Sequence, residues 1–360
     1  MLIPIISSAV LALMILTGVL TLAALLTWAE RKESALMQDR IGANRAAILG
    51  IRAAGLVHIA ADALKMIFKE DFIPPSGNKI VHTLGPILAF FPVLVIFAVV
   101  PIGSYVVIGG HEIGLQVADL NIGLLLIFAF ASLSTYGMIL GGWSSNNKFS
   151  MLGAIRAGAQ MISYEIALGL SIIGVIMVFG SLSLTEIVRG QGELLWGFLP
   201  KWGIFVQPLG FLIFLPAAMA ESKRIPFDMP EGESEIIGYW VEYSSMKFGM
   251  YFFAEFIEVV IAAALVVTFF LGGYQVPYLY DNGFIFPWGW ELPINHWIVV
   301  ILQMMSFAAK MVFICWFLLL VRWTLPRFRY DQLMNLGWKG LLPLALVNIF
   351  ITGLVILWIK

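Results

Sequence analysis

Eight stretches of the chain are almost unbroken runs of apolar residues, each about the 20 residues that a helix needs to cross a bilayer. They fall at about 3–28, 82–104, 120–142, 155–179, 203–220, 246–272, 296–321 and 338–359. These runs predict an all-α polytopic membrane protein of about eight transmembrane helices, a single integral membrane domain over 1–360. The first run extends from Leu2 to Trp28 with no basic segment before it. That is too long for a cleaved signal peptide, so it reads as the first span. Residues 46–70, AAILGIRAAGLVHIAADALKMIFKE, differ because Arg52, His58, Asp62 and Lys65 interrupt the apolar run. Such alternation predicts an amphipathic helix lying on the membrane surface.

Basic residues alternate sharply between loops. Nearly all Lys and Arg fall after the first, third, fifth and seventh runs, and the other side carries only Arg189, Lys201 and Lys360. By the positive-inside rule the basic loops are cytoplasmic and both termini face outward. For a bacterium, that places a multi-pass chain in the inner membrane with periplasmic termini. No internal repeat is visible, which argues against an inverted-repeat transporter.

Composition narrows the chemistry. The chain is 61% hydrophobic and 12% charged, where a soluble domain carries about 25% charged residues. A net charge of −1 gives no reason to expect nucleic acid. The single cysteine, Cys315, cannot form an intrachain disulfide or a cysteine-ligated cluster. His58, His82, His111 and His296 lack ligand spacing, so no metal site is expected. Any redox cofactor belongs to another chain.

A few charges stand where charge is costly. Glu165 lies mid-span in QMISYEIALGLS, and Glu255 and Glu258 share a helix face in FFAEFIEVV. Lys310 interrupts SFAAKMVFICW. An ionisable group at the bilayer centre costs about 2.5–3.5 kcal/mol on insertion scales. Such groups are either packing contacts, for instance one arm of a Glu–Lys pair, or proton carriers. A second concentration of acids occupies the loop at 221–245, within AESKRIPFDMPEGESEIIGYWVEYSSMKF. Glu221, Asp228, Glu231, Glu233, Glu235 and Glu242 alternate there with Ile225, Phe227, Met229, Ile236, Tyr239 and Trp240. Pro226 and Pro230 prevent a regular helix, while Gly232 and Gly238 permit tight turns. A loop this apolar is expected to fold back against the spans and line a cavity. Its carboxylates would titrate as a coupled set. The loop lacks the spacing of a calcium-binding EF-hand.

Several segments taken in order, AERK, QDRIGANR, ADALKMIFKEDFIP, RAGAQMISYEIALGLS, the acidic loop and LPRFRYDQLMNLGWKGLLPLAL, resemble one family. It is the membrane-embedded H subunit of bacterial proton-translocating NADH:quinone oxidoreductase, respiratory complex I, the counterpart of mitochondrial subunit 1. The likeness runs from Glu30 to about Leu346. Ala43 stands where Pro is usual, Ser222-Lys223 where Thr-Asn is common, and Glu258 where an uncharged residue is frequent.

The resemblance implies a subunit of a multisubunit enzyme, with no catalysis by the isolated chain. Quinone is its substrate, and the iron–sulfur clusters and FMN are expected in partner subunits. Arg31, Arg40, Asp62, Glu70, Arg224, Asp228, Arg322 and Arg327 match positions of the quinone chamber and its surroundings. Glu165, Glu221, Glu231, Glu233, Glu235, Glu242, Glu255 and Lys310 match a buried acidic proton path. Expected partners are peripheral quinone-site subunits, small membrane subunits, antiporter-like subunits and membrane lipid. The alternative is the membrane anchor of a related energy-converting hydrogenase, or of a reductase using ferredoxin or another donor. Those relatives often lack the full EYSSMKF and PRFRYDQLM segments, both present here. A stand-alone transporter or a purely structural anchor gives no reason for the intramembrane acids.

Overall fold

The computed structural model describes residues 2–232 and 235–359. Its helices are α1 (Leu2–Met37), α2 (Val57–Phe68), α3 (Lys79–Ile96), α4 (Gly123–Ser144), α5 (Lys148–Phe179), α6 (Leu184–Gln191), α7 (Gly203–Val206), α8 (Pro208–Glu221), α9 (Ser245–Phe270), α10 (His296–Thr324), α11 (Tyr330–Asn335) and α12 (Leu342–Ile359). Among the described residues, seven helices are long and apolar enough to cross a membrane: α1, α3, α4, α5, α9, α10 and the run Tyr330–Trp358 that joins α11 to α12. The chain is an all-α multi-pass membrane protein.

Local sequence explains where the long helices begin and end. Asn78, Asn147 and Asn295 each precede a helix and accept a hydrogen bond from the first turn of α3, α5 and α10 respectively. Gly180 closes α5 in the left-handed region. Between α11 and α12, residues Leu336–Leu341 form a π-helical turn. Just before it, the Leu333 carbonyl accepts from the Tyr164 hydroxyl at 2.8 Å.

The apolar run at 203–220 is not one continuous helix. Gln207 leaves helical geometry at φ −133° and ψ 59° and separates α7 from α8. Pro208, which follows, has no N–H to continue the ladder. The Gln207 side chain instead donates to Thr352 at 2.8 Å and accepts from Asn348 at 3.1 Å, both on α12. With 14 residues, α8 is only about 21 Å long at 1.5 Å per residue.

α9 is the central pillar. Some 89% of its apolar window is buried, against 22–44% for the other six long helices. It packs on α1, α2, α3, α8 and α10. In contrast, α2 buries none of its residues and leaves Leu64, Ile67 and Phe68 exposed. The amphipathic segment at 46–70 is helical only in that part. Residues 46–56 are irregular, apart from a 3-10 turn at Ala53–Gly55.

Alternate connections carry the small β elements. A hairpin of β1 (Tyr105–Ile108) and β2 (His111–Gly114) turns through Gly109 and Gly110, both at positive φ. Two-residue strands β3 (Leu194–Leu195) and β4 (Leu199–Pro200) pair after α6. A three-stranded sheet of β5 (Leu279–Tyr280), β6 (Gly283–Ile285) and β7 (Glu291–Pro293) lies between α9 and α10. Tyr105, Leu194 and Leu279, one from each of these elements, line a common cavity.

Candidate functional site

The acidic connection between α8 and α9 contains turns and, among the described residues, no regular helix. One face of α5 holds it in place. Asn147 donates to Glu242 at 2.6 Å, and Ser150 donates to the Tyr239 carbonyl at 2.5 Å. Arg156 pairs with Glu235 at 2.8 Å. Gln160 donates to the carbonyls of Ala220 at 2.8 Å and Phe227 at 2.7 Å, and the Tyr164 ring packs edge-on against Phe227. Positions 150, 153, 157, 160 and 164 recur at helical spacing, so they form one stripe. Gly153 lets the loop approach: a Cβ there would lie 2.8 Å from Tyr239 N and 3.0 Å from Pro230 O.

Other elements clamp the loop's flanks. Arg327 donates to the Asp228 carbonyl at 2.7 Å, and Phe328 N donates to the Pro226 carbonyl at 3.1 Å. Glu30 of α1 accepts from Arg224 at 2.9 Å and forms an ion pair with Arg322 at 2.5 Å, so α1, the loop and α10 share one carboxylate. The Arg224 guanidinium also lies over the Phe256 ring at 4.1 Å. At the start of α9, Ser244 donates to the Glu70 carbonyl, Ser245 to the Met66 carbonyl, and Lys247 pairs with Asp71 at 2.9 Å. Arg31 pairs with Asp62 at 2.5 Å, tying α1 to α2.

Beneath the loop the acids continue inward. Glu231 of the loop lies beside Glu255 of α9, like charge against like charge. Tyr239 donates to Glu255 at 3.3 Å. One helical step further along α9, Glu258 pairs with Lys223 at 2.7 Å and accepts from Ser134 at 3.3 Å. Glu165, Glu221 and Glu258 line one small internal cavity of about 50 Å³ among α3, α4, α5, α8 and α9. Ser132, two residues before Ser134 on α4, donates to Glu165. Outside the spans, the hydrogen bond from Arg156 holds the Glu235 carboxyl below its ordinary range. Burial, then the negative charge of Glu255 and Glu231, pushes the Tyr239 hydroxyl well above its own.

A second cavity of about 500 Å³ lies beside the C-terminal half of α1. Leu20 and Ala24 line it from α1, Ile59, Ala63 and Met66 from α2, and Phe252 and Phe253 from α9. Asp62 stands on the same wall. The cavity is mostly apolar and bordered by the α2–α9 contacts that flank the loop.

The acids anticipated from the sequence therefore fall into two linked groups: loop acids on α5, and intramembrane acids on α5, α8 and α9. Three expected residues lie apart. Arg40 contacts Gln38 and Ser34, and Glu70 is exposed. Lys310 donates to the carbonyls of Leu271, Gly273 and Gln275, past the far end of α9, and sits over Trp202. No carboxylate is among these partners. Glu233 lies outside the described residues. Lys223, Glu30, Ser132, Ser134 and Gln160 belong to the cluster without having been singled out as site residues. The only sequence signal for the serines and Gln160 is a polar residue inside an apolar run.

Residues 10–353 match a family described as NADH dehydrogenase. The chain is 48% identical to the NADH-quinone oxidoreductase H subunit, number 1, of Cytophaga hutchinsonii, covering 95% of this chain and 96% of that one. It is 45% identical to the H subunit, number 2, of the same enzyme in Geobacter sulfurreducens, over 95% and 94%. With NADH-quinone oxidoreductase subunit 8 of Rhodothermus marinus it shares 42% identity over 98% and 97%.

Proposed function

The chain belongs to the NADH dehydrogenase family as a membrane subunit of an NADH-quinone oxidoreductase, and we propose that it forms the membrane side of the quinone chamber. The same proposal makes its carboxylates the first stretch of a proton path leading away from that chamber. One observation carries this reading. The loop hydroxyl of Tyr239 donates to Glu255 inside the most buried helix, beside the loop acid Glu231, which brings the loop acids and the intramembrane acids together.

Each part has a physical role. The apolar cavity between α1, α2 and α9 suits the isoprenoid tail of a quinone, with Asp62, the partner of Arg31, at its wall. Electrons come from iron–sulfur clusters and FMN in partner subunits, since this chain offers one buried cysteine. Reduction of a quinone to a quinol takes up two electrons and two protons. Negative charge that builds up before the protons arrive raises the proton affinity of nearby carboxyls. Asp228 and Glu231 are the loop acids placed to respond, and Glu255, Glu258, Glu221 and Glu165 extend the response inward. Antiporter-like and small membrane subunits would receive it. In this reading the acidic loop faces the cytoplasm of a bacterial cell, and both termini face the periplasm.

The test compares two reactions in membranes carrying Asp228→Asn with Glu231→Gln. NADH oxidation by a soluble artificial acceptor draws electrons before the membrane arm and should be unchanged. NADH oxidation by quinone should fall about tenfold, as expected when a group stabilising the reaction by about 1.4 kcal/mol is lost. Equal and normal rates in both reactions would remove the loop acids from quinone chemistry.

A further inference from the structure

Lys223 places a cation in the middle of these acids. Its side chain is 2% exposed, and its ammonium lies 2.7 and 2.9 Å from the two carboxylate oxygens of Glu258. The ammonium also contacts the thioether sulfur of Met138 at 3.3 Å, a weak acceptor. The backbone at Lys223 is left-handed, φ 56°, which is strained for a residue with a side chain. Burial works against the charged form, but Glu258, Glu255 and Glu231 outweigh it and raise Lys223 above its ordinary value.

The surrounding charges sort into two sets. Glu231 and Glu255 lie on the loop side with Tyr239. Glu221 and Glu165 lie across the internal cavity, on α8 and α5. Lys223 acts electrostatically on Glu221 as well as on Glu255 and Glu231. Arg224, its neighbour, pairs with Glu30 and lies over Phe256, and its charge also acts on Glu255, Glu231 and Glu258. From α4, Ser134 and Met138 reach the pair, and neither is a charged group.

We propose that Lys223 is a positioning residue for proton movement: clamped on Glu258, its ammonium is the mobile counter-charge, beside the Arg224 guanidinium held by Glu30, through which protonation of Glu231 and Glu255 is felt at Glu221 and Glu165. This rests on reading those acids as a proton path. A proton gained at the Glu231–Glu255 pair weakens that pair's pull, and the ammonium settles on Glu258. Loss of the proton draws it back along its flexible four-carbon stem. A pair that merely neutralised itself would be dispensable once both charges were removed together.

The decisive variant is therefore Lys223→Met with Glu258→Gln, studied in the assembled complex in membranes. It strands neither ion. NADH oxidation by a soluble acceptor monitors assembly and should match wild type. Proton translocation per NADH should fall about tenfold even though the double variant leaves the net charge of the cluster unchanged. Wild-type translocation in the assembled double variant would overturn the proposal. Lys223→Arg retains the charge and should retain translocation, so its loss in an assembled complex would also overturn it. Glu165→Gln in the same series separates the two ideas. Normal translocation there refutes the path itself, whereas its loss beside a normal double variant refutes only the role of Lys223.

Discussion

Glu30 is one carboxylate serving two guanidinium groups, Arg224 and Arg322, in a setting where its own side chain is 13% exposed. Removing a partner from a buried ion pair is costly because the remaining charge has no water to return to, and the usual penalty is about 3–5 kcal/mol. Glu30→Gln takes the directly paired carboxylate from two arginines at once. The expected outcome is a complex that assembles at low temperature but loses quinone-linked activity within minutes of mild heating, while the soluble-acceptor reaction persists. Equal heat resistance of both reactions would show that other groups balance the arginines. Glu30 stands in the AERK segment, but its partner Arg224 is 194 residues away. Nothing in local sequence announces such a pairing. The intramembrane acids are readable because a charge in an apolar run is conspicuous, whereas Lys223 hides in a loop already rich in charge.

The same contrast holds for α5 and the connection it supports. Apolar length alone locates the spans, since crossing hydrocarbon leaves the backbone no choice but a helix. It cannot reveal that 203–220 is broken at Gln207, because the break depends on Asn348 and Thr352 bonding the displaced polar side chain. Nor can it reveal that an irregular loop is held by a helical stripe, since each contact joins residues far apart in sequence. The stripe makes a sharp prediction. Gly153→Val should push the loop off α5, because even a Cβ meets Tyr239 N at 2.8 Å and Pro230 O at 3.0 Å, both backbone atoms. Amide hydrogen exchange across 228–242 should accelerate by about tenfold for each 1.4 kcal/mol of docking energy lost. Protection equal to wild type would mean that the Arg156–Glu235 and Gln160 contacts suffice alone.

At the scale of the bundle, α9 is the most buried long helix: α1, α3, α8 and α10 pack on it, α4 and α5 follow through α3 and α8, and α12 packs on α5. Glu255 and Glu258 are thereby carried by the helix that touches α1, α2, α3, α8 and α10, so a change at the loop is one contact away from each of those helices. The arrangement also has a consequence for biosynthesis. A ribosome delivers α1, α3, α4, α5 and α8 to the membrane before α9 exists. Until then those helices enclose a vacancy edged by Glu165, Glu221 and Ser134 of α4. A chain stopped just before Ser245 should be inserted and then rapidly degraded, and pulse-chase labelling of that truncation measures it. A long-lived truncation would show that the outer helices close on one another unaided. Otherwise α9 is the keystone of the arch, set after the stones that lean on it.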